Sequence, residues 1–153
     1  MPAQLLVQTA LKEVGYTEGA NNANKYSAAL HRPAESWCAD FVVWCFQQSN
    51  NQGKILNSAS VSAICDWARK NTLVVDPKTV QAGDIVAFDW TGKRQSPVHI
   101  GIVRAPFDSK KILVPTIEGN TSANNTGSQS NGDCVALKER GLAYIYLAFR
   151  PKY

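Results

Sequence analysis

The sequence SWCADFVVWC, at residues 36–45, decides the fold because it predicts an amphipathic helix that begins near a thiol. Residues spaced i, i+3, i+4 and i+7 define the inward face of this helix: Cys38, Phe41, Val42 and Cys45. Ser36 is a suitable N-cap, since its hydroxyl can accept a backbone N–H of the first turn. The N–H groups and the dipole at that end favour an anion, and therefore the thiolate of Cys38. Free cysteines are more often small buried hydrophobic residues, so this stretch alone does not indicate a nucleophile.

A second stretch, PVHIGIV at residues 97–103, alternates in the way that predicts a β-strand. His99 and Gly101 share one face of it, and the opposite face carries Val98, Ile100 and Ile102. Gly101 leaves room for the cysteine helix or a substrate backbone to approach.

A third stretch, TIEGN at residues 116–120, places Glu118 and Asn120 on one face if it is also a strand. The intervening residues 104–115 suit a hairpin-like connection. Antiparallel pairing of the two strands then presents His99 beside Glu118 and Asn120. A thiol, an imidazole and a polar group that orients the imidazole form a nucleophile–base–orienter set.

Four motifs, in this order, resemble the signature of CHAP domains: WCADFV at 37–42, GDIVAF at 83–88, HIGIV at 99–103 and IEGN at 117–120. CHAP domains are cysteine, histidine-dependent amidohydrolases/peptidases of the NlpC/P60-like, papain-related superfamily. The resemblance extends upstream to residues 11–15 and 24–26, and the chain is similar to small single-domain phage or prophage endolysins. It implies an α+β, papain-like fold with N-terminal helices packed on a C-terminal antiparallel sheet.

The resemblance also implies roles for individual residues. Cys38 matches the family nucleophile, His99 the general base, and Glu118 the residue that orients the histidine. Asn120 matches a frequent fourth polar member, and its division of roles with Glu118 stays open. Tyr26 lies where related enzymes often place a residue on the oxyanion side. Acyl transfer by this set requires no metal and no other cofactor.

The order of helical and strand patterns supports the same fold class. The inner stripe of a first helix is predicted at Val7, Ala10, Leu11 and Val14, closed by Gly15. Helices are expected at about 25–30 and at about 60–70, and the cysteine helix is expected to run to about residue 48. Strands are expected near 83–88, 98–103, 113–118, 134–138 and 144–150. Helices followed by strands indicate an α+β domain, and we expect one domain over 1–153 with no separate wall-binding domain.

Other polar and aromatic features leave alternatives open. Trp37 can stack on a substrate, but a tryptophan beside a core helix is more often a packing residue. Residues 89–97, with Trp90, can shape the cleft, and residues 121–132 are either a cleft wall or a solvated connection. Calcium-binding CHAP members carry an acidic loop before the cysteine. Asparagines replace aspartates in that region here, so we expect no calcium site.

The four cysteines show neither a CxxC pair nor zinc-ligand spacing, so a metal site is not expected. Cys45 and Cys65 lie on inward helix faces and are expected to be reduced core residues. The net charge of +4 suits an anionic cell surface and is too diffuse to indicate nucleic acid binding. No apolar run predicts a membrane span, and no signal peptide is evident at the first residues.

Together these features predict a peptidoglycan hydrolase that cleaves an N-acetylmuramoyl–L-alanine bond or a peptide bond of the stem or cross-bridge. Such an enzyme is expected to be a monomer, made in the bacterial cytoplasm, that acts at the wall after release without stable membrane association. If it is an antibacterial effector, a cognate immunity protein is expected. The alternatives are a non-catalytic wall-binding or phage assembly module, and a cysteine protease or deamidase directed at proteins.

Overall fold

The computed structural model describes residues 1–153, in which four α-helices precede a β-sheet. The helices are α1 (Pro2–Lys12), α2 (Lys25–Ala29), α3 (Cys38–Gln48) and α4 (Val61–Lys70). The strands are β1 (Val74–Val75), β2 (Ile85–Phe88), β3 (His99–Val103), β4 (Leu113–Thr121), β5 (Cys134–Gly141) and β6 (Ile145–Phe149). The predicted order of helices and strands is confirmed, apart from β1, whose two residues are too few to give an alternating pattern.

All paired strands are antiparallel, in the order β1-β6-β2-β3-β4-β5. The helices pack on one face of this sheet, and the main core between them includes Ile100, Ile102 and Ile117. A smaller cluster, around Val86, Phe88 and Val103, covers the other face. The α+β class predicted from the sequence is therefore correct.

Helix α3 is the most deeply buried helix of the fold. The four residues of its predicted inner face, Cys38, Phe41, Val42 and Cys45, are all buried, and so are most of the others. The expected N-cap is wrong, because Trp37 is the N-cap residue and makes no side-chain cap bond. Ser36 lies one residue too early, and its hydroxyl instead accepts a hydrogen bond from the Asn120 side chain at 2.8 Å.

The predicted stripe of α1 is only partly correct. Leu6, Val7 and Ala10 are buried, whereas Leu11 and Val14 are 43% and 39% exposed. The helix ends at Lys12, so Val14 is not on it, and Leu11 lies at the edge of a stripe centred on Ala10. Gly15 does close this segment: it has a φ of +98°, and its N–H donates to the Val135 carbonyl of β5.

The pairing of β3 with β4 brings the predicted strands together, with Ile102 opposite Ile117. Ile100 and Ile102 face the helices, but Val98 precedes the strand and is 46% exposed. The space beside Gly101 is filled by Glu118, whose Cγ lies 2.7 Å from where a Cβ would stand. The room predicted there for a helix or a substrate therefore serves a strand-to-strand contact.

Gly119 allows α3 to lie directly against β4. A Cβ on this residue would stand 2.6 Å from the Phe41 Cβ and 2.8 Å from Trp37. We expect Gly119→Ala to lower the free energy of unfolding by about 1–3 kcal/mol, because the helix has to move to accept the methyl group. Urea denaturation measures this loss.

Gly19→Ala is the matched control, since its Cβ would meet only Ala23 at an ordinary 3.6 Å. This control is expected to stay within about 0.5 kcal/mol of the wild type. Equal stabilities for the two variants would show that α3 and β4 are not in close contact.

Candidate active site

Cys38 is the first residue of α3, and only 5% of its surface is exposed. The N–H groups of a first helical turn have no partners within the helix, so they and the helix dipole face the thiol end of α3. This location agrees with the one predicted from the sequence.

His99 begins β3, and its ring is completely buried. Its Nε2 lies 2.8 Å from Oε1 of Glu118, while Nδ1 is buried without a hydrogen-bond partner. The Phe88 and Trp90 rings pack against the imidazole, each with its centroid 5.8 Å away. Because Glu118 occupies Nε2, Nδ1 is the nitrogen left to exchange a proton with a thiol.

The electrostatics of His99 link the thiol to the carboxylate. Burial of the ring lowers its pKa, but interactions with the side chains of Cys38 and Glu118 outweigh burial and raise the pKa to about 9. His99 is therefore an imidazolium at neutral pH. This arrangement provides both a counter-ion for a thiolate and a proton donor.

Glu118 is fully buried, and His99 is only one of its hydrogen-bond partners. Burial raises its pKa, but hydrogen bonds from Arg140 and His99 and the charges of both residues lower it to about 2. Nε of Arg140 donates to Oε2 at 2.9 Å, Nη2 donates to Oε1, and the Thr116 hydroxyl donates to Oε2. Glu118 is thus a permanently ionised partner of the imidazole.

The sequence reasoning missed Arg140. The only signal for it is the period of two along β5, which places Ala136 and Arg140 on the same face of the strand. In the structure Ala136 pairs with Glu118, and Arg140 pairs with Val114. The pairing that places Arg140 on the Glu118 side of the sheet depends on the β4–β5 register, which the sequence did not define.

Asn120 lies close to the nucleophile segment and makes no hydrogen bond with His99. The register of β4 shifts between Glu118 and Thr121, and Asn120 has a φ of +54° there. Its amide donates to Ser36 at 2.8 Å and to Asn131 at 3.2 Å, whereas its Oδ1 is buried without a partner. The structure thus separates the contacts of Asn120 from those of Glu118.

Tyr26 and Trp37 belong to an aromatic cluster beneath α3, and neither is exposed. The two rings stack with centroids 5.3 Å apart, and the Tyr26 hydroxyl donates to Glu13 at 2.8 Å. Burial and this bond raise the pKa of Tyr26 well above its usual range. These contacts support packing roles, and they do not support the oxyanion role expected of Tyr26 or substrate stacking by Trp37.

A buried polar network supports the first turn of α3. Asp40, 2% exposed, accepts a hydrogen bond from the Ser27 hydroxyl at 2.7 Å and forms a salt bridge with Arg32. Asn24 caps α2 by accepting the Ser27 N–H at 2.8 Å. The buried carboxylate in the first turn of α3 is therefore paired with a guanidinium. No group of three or more His, Cys, Asp or Glu side chains is placed to hold a metal ion.

An open cavity of about 460 Å³ lies next to Arg140 and Trp90, which contact Glu118 and His99, respectively. Trp90 and Tyr144 line it together with Arg140 and residues 128–130 of the loop after β4. Residues 128–130 therefore line a cavity next to Arg140, but Cys38, His99 and Glu118 are not among its lining residues.

The other three cysteines are also buried, and none forms a disulfide. Burial raises the pKa of Cys45 well above its ordinary value and that of Cys65 to about 12. Both are reduced core residues, as predicted.

Comparison with known proteins agrees with this geometry. The structure is an α+β fold with a buried thiol at the start of a helix. The family model of the CHAP domain matches residues 30–120, more than half of the sequence, so the chain belongs to the CHAP domain family.

A similar fold occurs in the crystal structure of a wild-type endolysin, LysIME-EF1, with a TM-score of 0.57 and 11% sequence identity. The alignment covers 99% of this chain and 64% of the endolysin chain. No curated protein sequence matches the chain. None of its helices has the length and apolar character needed to cross a membrane.

The pKa of His99 predicts how stability depends on pH. The folded protein holds the ring proton up to about pH 9, whereas an ordinary histidine, as in the unfolded chain, loses it near 6.5. The protonated ring therefore stabilises the fold fully below pH 6.5, and this contribution is lost as the pH rises to about 9. The stability advantage of the wild type over His99→Asn should shrink across this window in thermal unfolding at several pH values.

His31→Asn is the control, because His31 is the other histidine, is exposed and has a φ of +57°, which asparagine tolerates. Its stability curve is expected to run parallel to that of the wild type. A His99→Asn curve that also runs parallel would mean that His99 does not form the charged pair.

Proposed function

We propose that this protein is a peptidoglycan hydrolase that cleaves an amide bond with Cys38 as nucleophile, His99 as base and acid, and Glu118 as the residue that orients the ring. The observation that carries the proposal is the buried 2.8 Å contact between His99 Nε2 and Glu118 Oε1. The side chain of Cys38 also raises the pKa of this imidazole. Membership of the CHAP family and the likeness in fold to an endolysin support it. A module that only binds walls has no need of a buried charged pair of this kind.

The proposed chemistry is acyl transfer through a thioester on Cys38. The imidazolium pairs with the thiolate of Cys38, which attacks the amide carbonyl and forms a carbon–sulfur bond. The backbone N–H of Cys38 is a donor for the resulting oxyanion, and such a donor typically contributes roughly 10²–10³-fold in rate. His99 then gives its proton to the amine as the carbon–nitrogen bond breaks. Water, deprotonated by His99, hydrolyses the thioester and restores the thiol.

Asn120 has a positioning role in this proposal. Its hydrogen bond to Ser36 ties β4 to the segment that precedes the nucleophile. Its Oδ1 is buried and has no hydrogen-bond partner. Glu118 therefore orients the base, and Asn120 fixes the entry to α3.

The proposed substrate is bacterial peptidoglycan, and the bond is either the N-acetylmuramoyl–L-alanine amide or a peptide bond of the stem or cross-bridge. The net charge of +4 suits attraction to an anionic wall. We propose that the enzyme acts at the wall as a monomer, without nucleic acid or stable membrane association. An immunity protein is part of this proposal only for an effector.

The test is digestion of purified peptidoglycan from Gram-negative and Gram-positive sources by the wild type and by Cys38→Ser. Mass spectrometry of the products then identifies the bond. We expect fragments from the wild type and a loss of at least about 10³-fold in rate for Cys38→Ser, because a serine hydroxyl beside His99 is a far weaker nucleophile than a thiolate.

Cys134→Ser is the matched control, because Cys134 is also buried and its thiol donates to the Thr121 carbonyl at 3.2 Å, a bond that serine can keep. This variant is expected to retain wild-type rates. Equal rates for wild type and Cys38→Ser would refute the nucleophile, and intact walls in every digest would refute the substrate.

A further inference from the structure

Arg140 makes three hydrogen bonds to Glu118, more than any other partner of this carboxylate. Its Nε donates to both carboxylate oxygens of Glu118, at 2.9 and 3.2 Å, and its Nη2 donates to Oε1. Its side chain is only 11% exposed. Glu118 Oε1 thus serves two cations at once, the imidazolium of His99 and the guanidinium of Arg140.

The remaining donors of Arg140 fix the guanidinium itself. Nη1 donates to Gln129 at 3.2 Å, and Nη2 also contacts the Thr121 hydroxyl at 3.3 Å. The plane of the guanidinium lies over the Trp90 ring, 4.7 Å from its centroid. Trp90 also packs against His99. The Arg140 side chain therefore contacts the buried carboxylate of Glu118, the Trp90 ring beside the imidazole, and Gln129 of the loop after β4.

The charges around the imidazole determine how tightly His99 holds its proton. The ionisable groups around the imidazole are the Cys38 thiol from α3, the Glu118 carboxylate from β4 and the Arg140 guanidinium from β5. Lys138 lies on the same face of β5 as Arg140, and its ammonium donates to the Asn124 carbonyl. A buried carboxylate paired with the imidazolium alone would hold the proton of His99 more tightly. A second cation on the same carboxylate opposes that effect, since like charges disfavour each other's ionised form.

We propose that Arg140 is a positioning residue of the reaction: it holds the Glu118 carboxylate against His99 and takes part of its charge, so that the imidazolium stays acidic enough to protonate the leaving amine. This inference rests on the proposed function. Arg140 acts through Glu118 and touches neither the thiol nor the ring nitrogens.

Two variants separate charge from geometry. Arg140→Met keeps a long side chain over Trp90 and removes the cation, whereas Arg140→Lys keeps the cation and loses the paired donors. Arg150→Met is the matched control, because Arg150 forms the same two-point contact with buried Asp84, at 2.9 and 2.8 Å, elsewhere in the sheet.

The first readout does not depend on any wall substrate. Iodoacetate is an anion, so its reaction with Cys38, followed on the Cys38 peptide by mass spectrometry, slows when the imidazolium loses its proton at high pH. We expect Arg140→Met to move this fall about one pH unit higher, and Arg140→Lys and Arg150→Met to leave it in place. The second readout is hydrolysis of solubilised peptidoglycan fragments, for which we expect about a tenfold lower kcat with Arg140→Met, a smaller loss with Arg140→Lys, and KM within about twofold of wild type in both.

The outcomes distinguish this inference from the proposed function. The Cys38–His99 pair itself is refuted if the rate of the wild-type reaction with iodoacetate does not fall at high pH. It is also refuted if His99→Asn shows the same fall. If that fall is present but Arg140→Met matches Arg150→Met in both readouts, the role of Arg140 is refuted and the proposed function stands. Should Arg140→Met fail to fold, Arg140→Lys decides: a lower kcat at unchanged KM supports the proposal, and wild-type kinetics overturn it.

Discussion

The buried contact between His99 and Glu118 is the interaction on which the rest of the site depends. Neither side chain is exposed, and burying an ion pair costs free energy unless every charge finds partners. The fold meets this requirement with a continuous chain of groups, from the thiol of Cys38 through His99 and Glu118 to the guanidinium of Arg140. Cys38 and Glu118 raise the pKa of His99, and Arg140 and His99 lower the pKa of Glu118, so that an imidazolium persists at neutral pH in a buried position.

The backbone is arranged so that these groups can meet. Gly101 has no side chain where Glu118 crosses from β4 towards β3, and Gly119 has none where α3 approaches β4. The two glycines lie on opposite faces of the sheet, so β4 receives a carboxylate contact on one face and the nucleophile helix on the other. The aromatic cluster of Tyr26 and Trp37 fills the space beneath that helix. Packing therefore sets the distance between the thiol and the imidazole.

Periodicity in the sequence was sufficient to predict α3 and β3, because both have regular apolar patterns, whereas β4 has no such pattern and was predicted only conditionally. It was not sufficient for contacts that depend on a register or a loop path. Arg140 reaches Glu118 only through the β4–β5 pairing, and Asn120 turns to Ser36 because β4 is irregular after Glu118. The Tyr26 hydroxyl could not be placed because its partner, Glu13, comes from another helix end. Local patterns specify which residues face inward, and tertiary structure decides which of them touch.

The central claim is that His99 is held as a cation by Cys38 and Glu118. The chain has two histidines, so ¹⁵N NMR of histidine-labelled protein, assigned with His31→Asn, follows each ring separately across pH. The account predicts that both nitrogens of His99 stay protonated to about pH 9 and that Cys38→Ser lowers this limit, because the thiolate no longer contributes. A His99 that loses its proton near pH 6.5, with or without the thiol, would contradict the account.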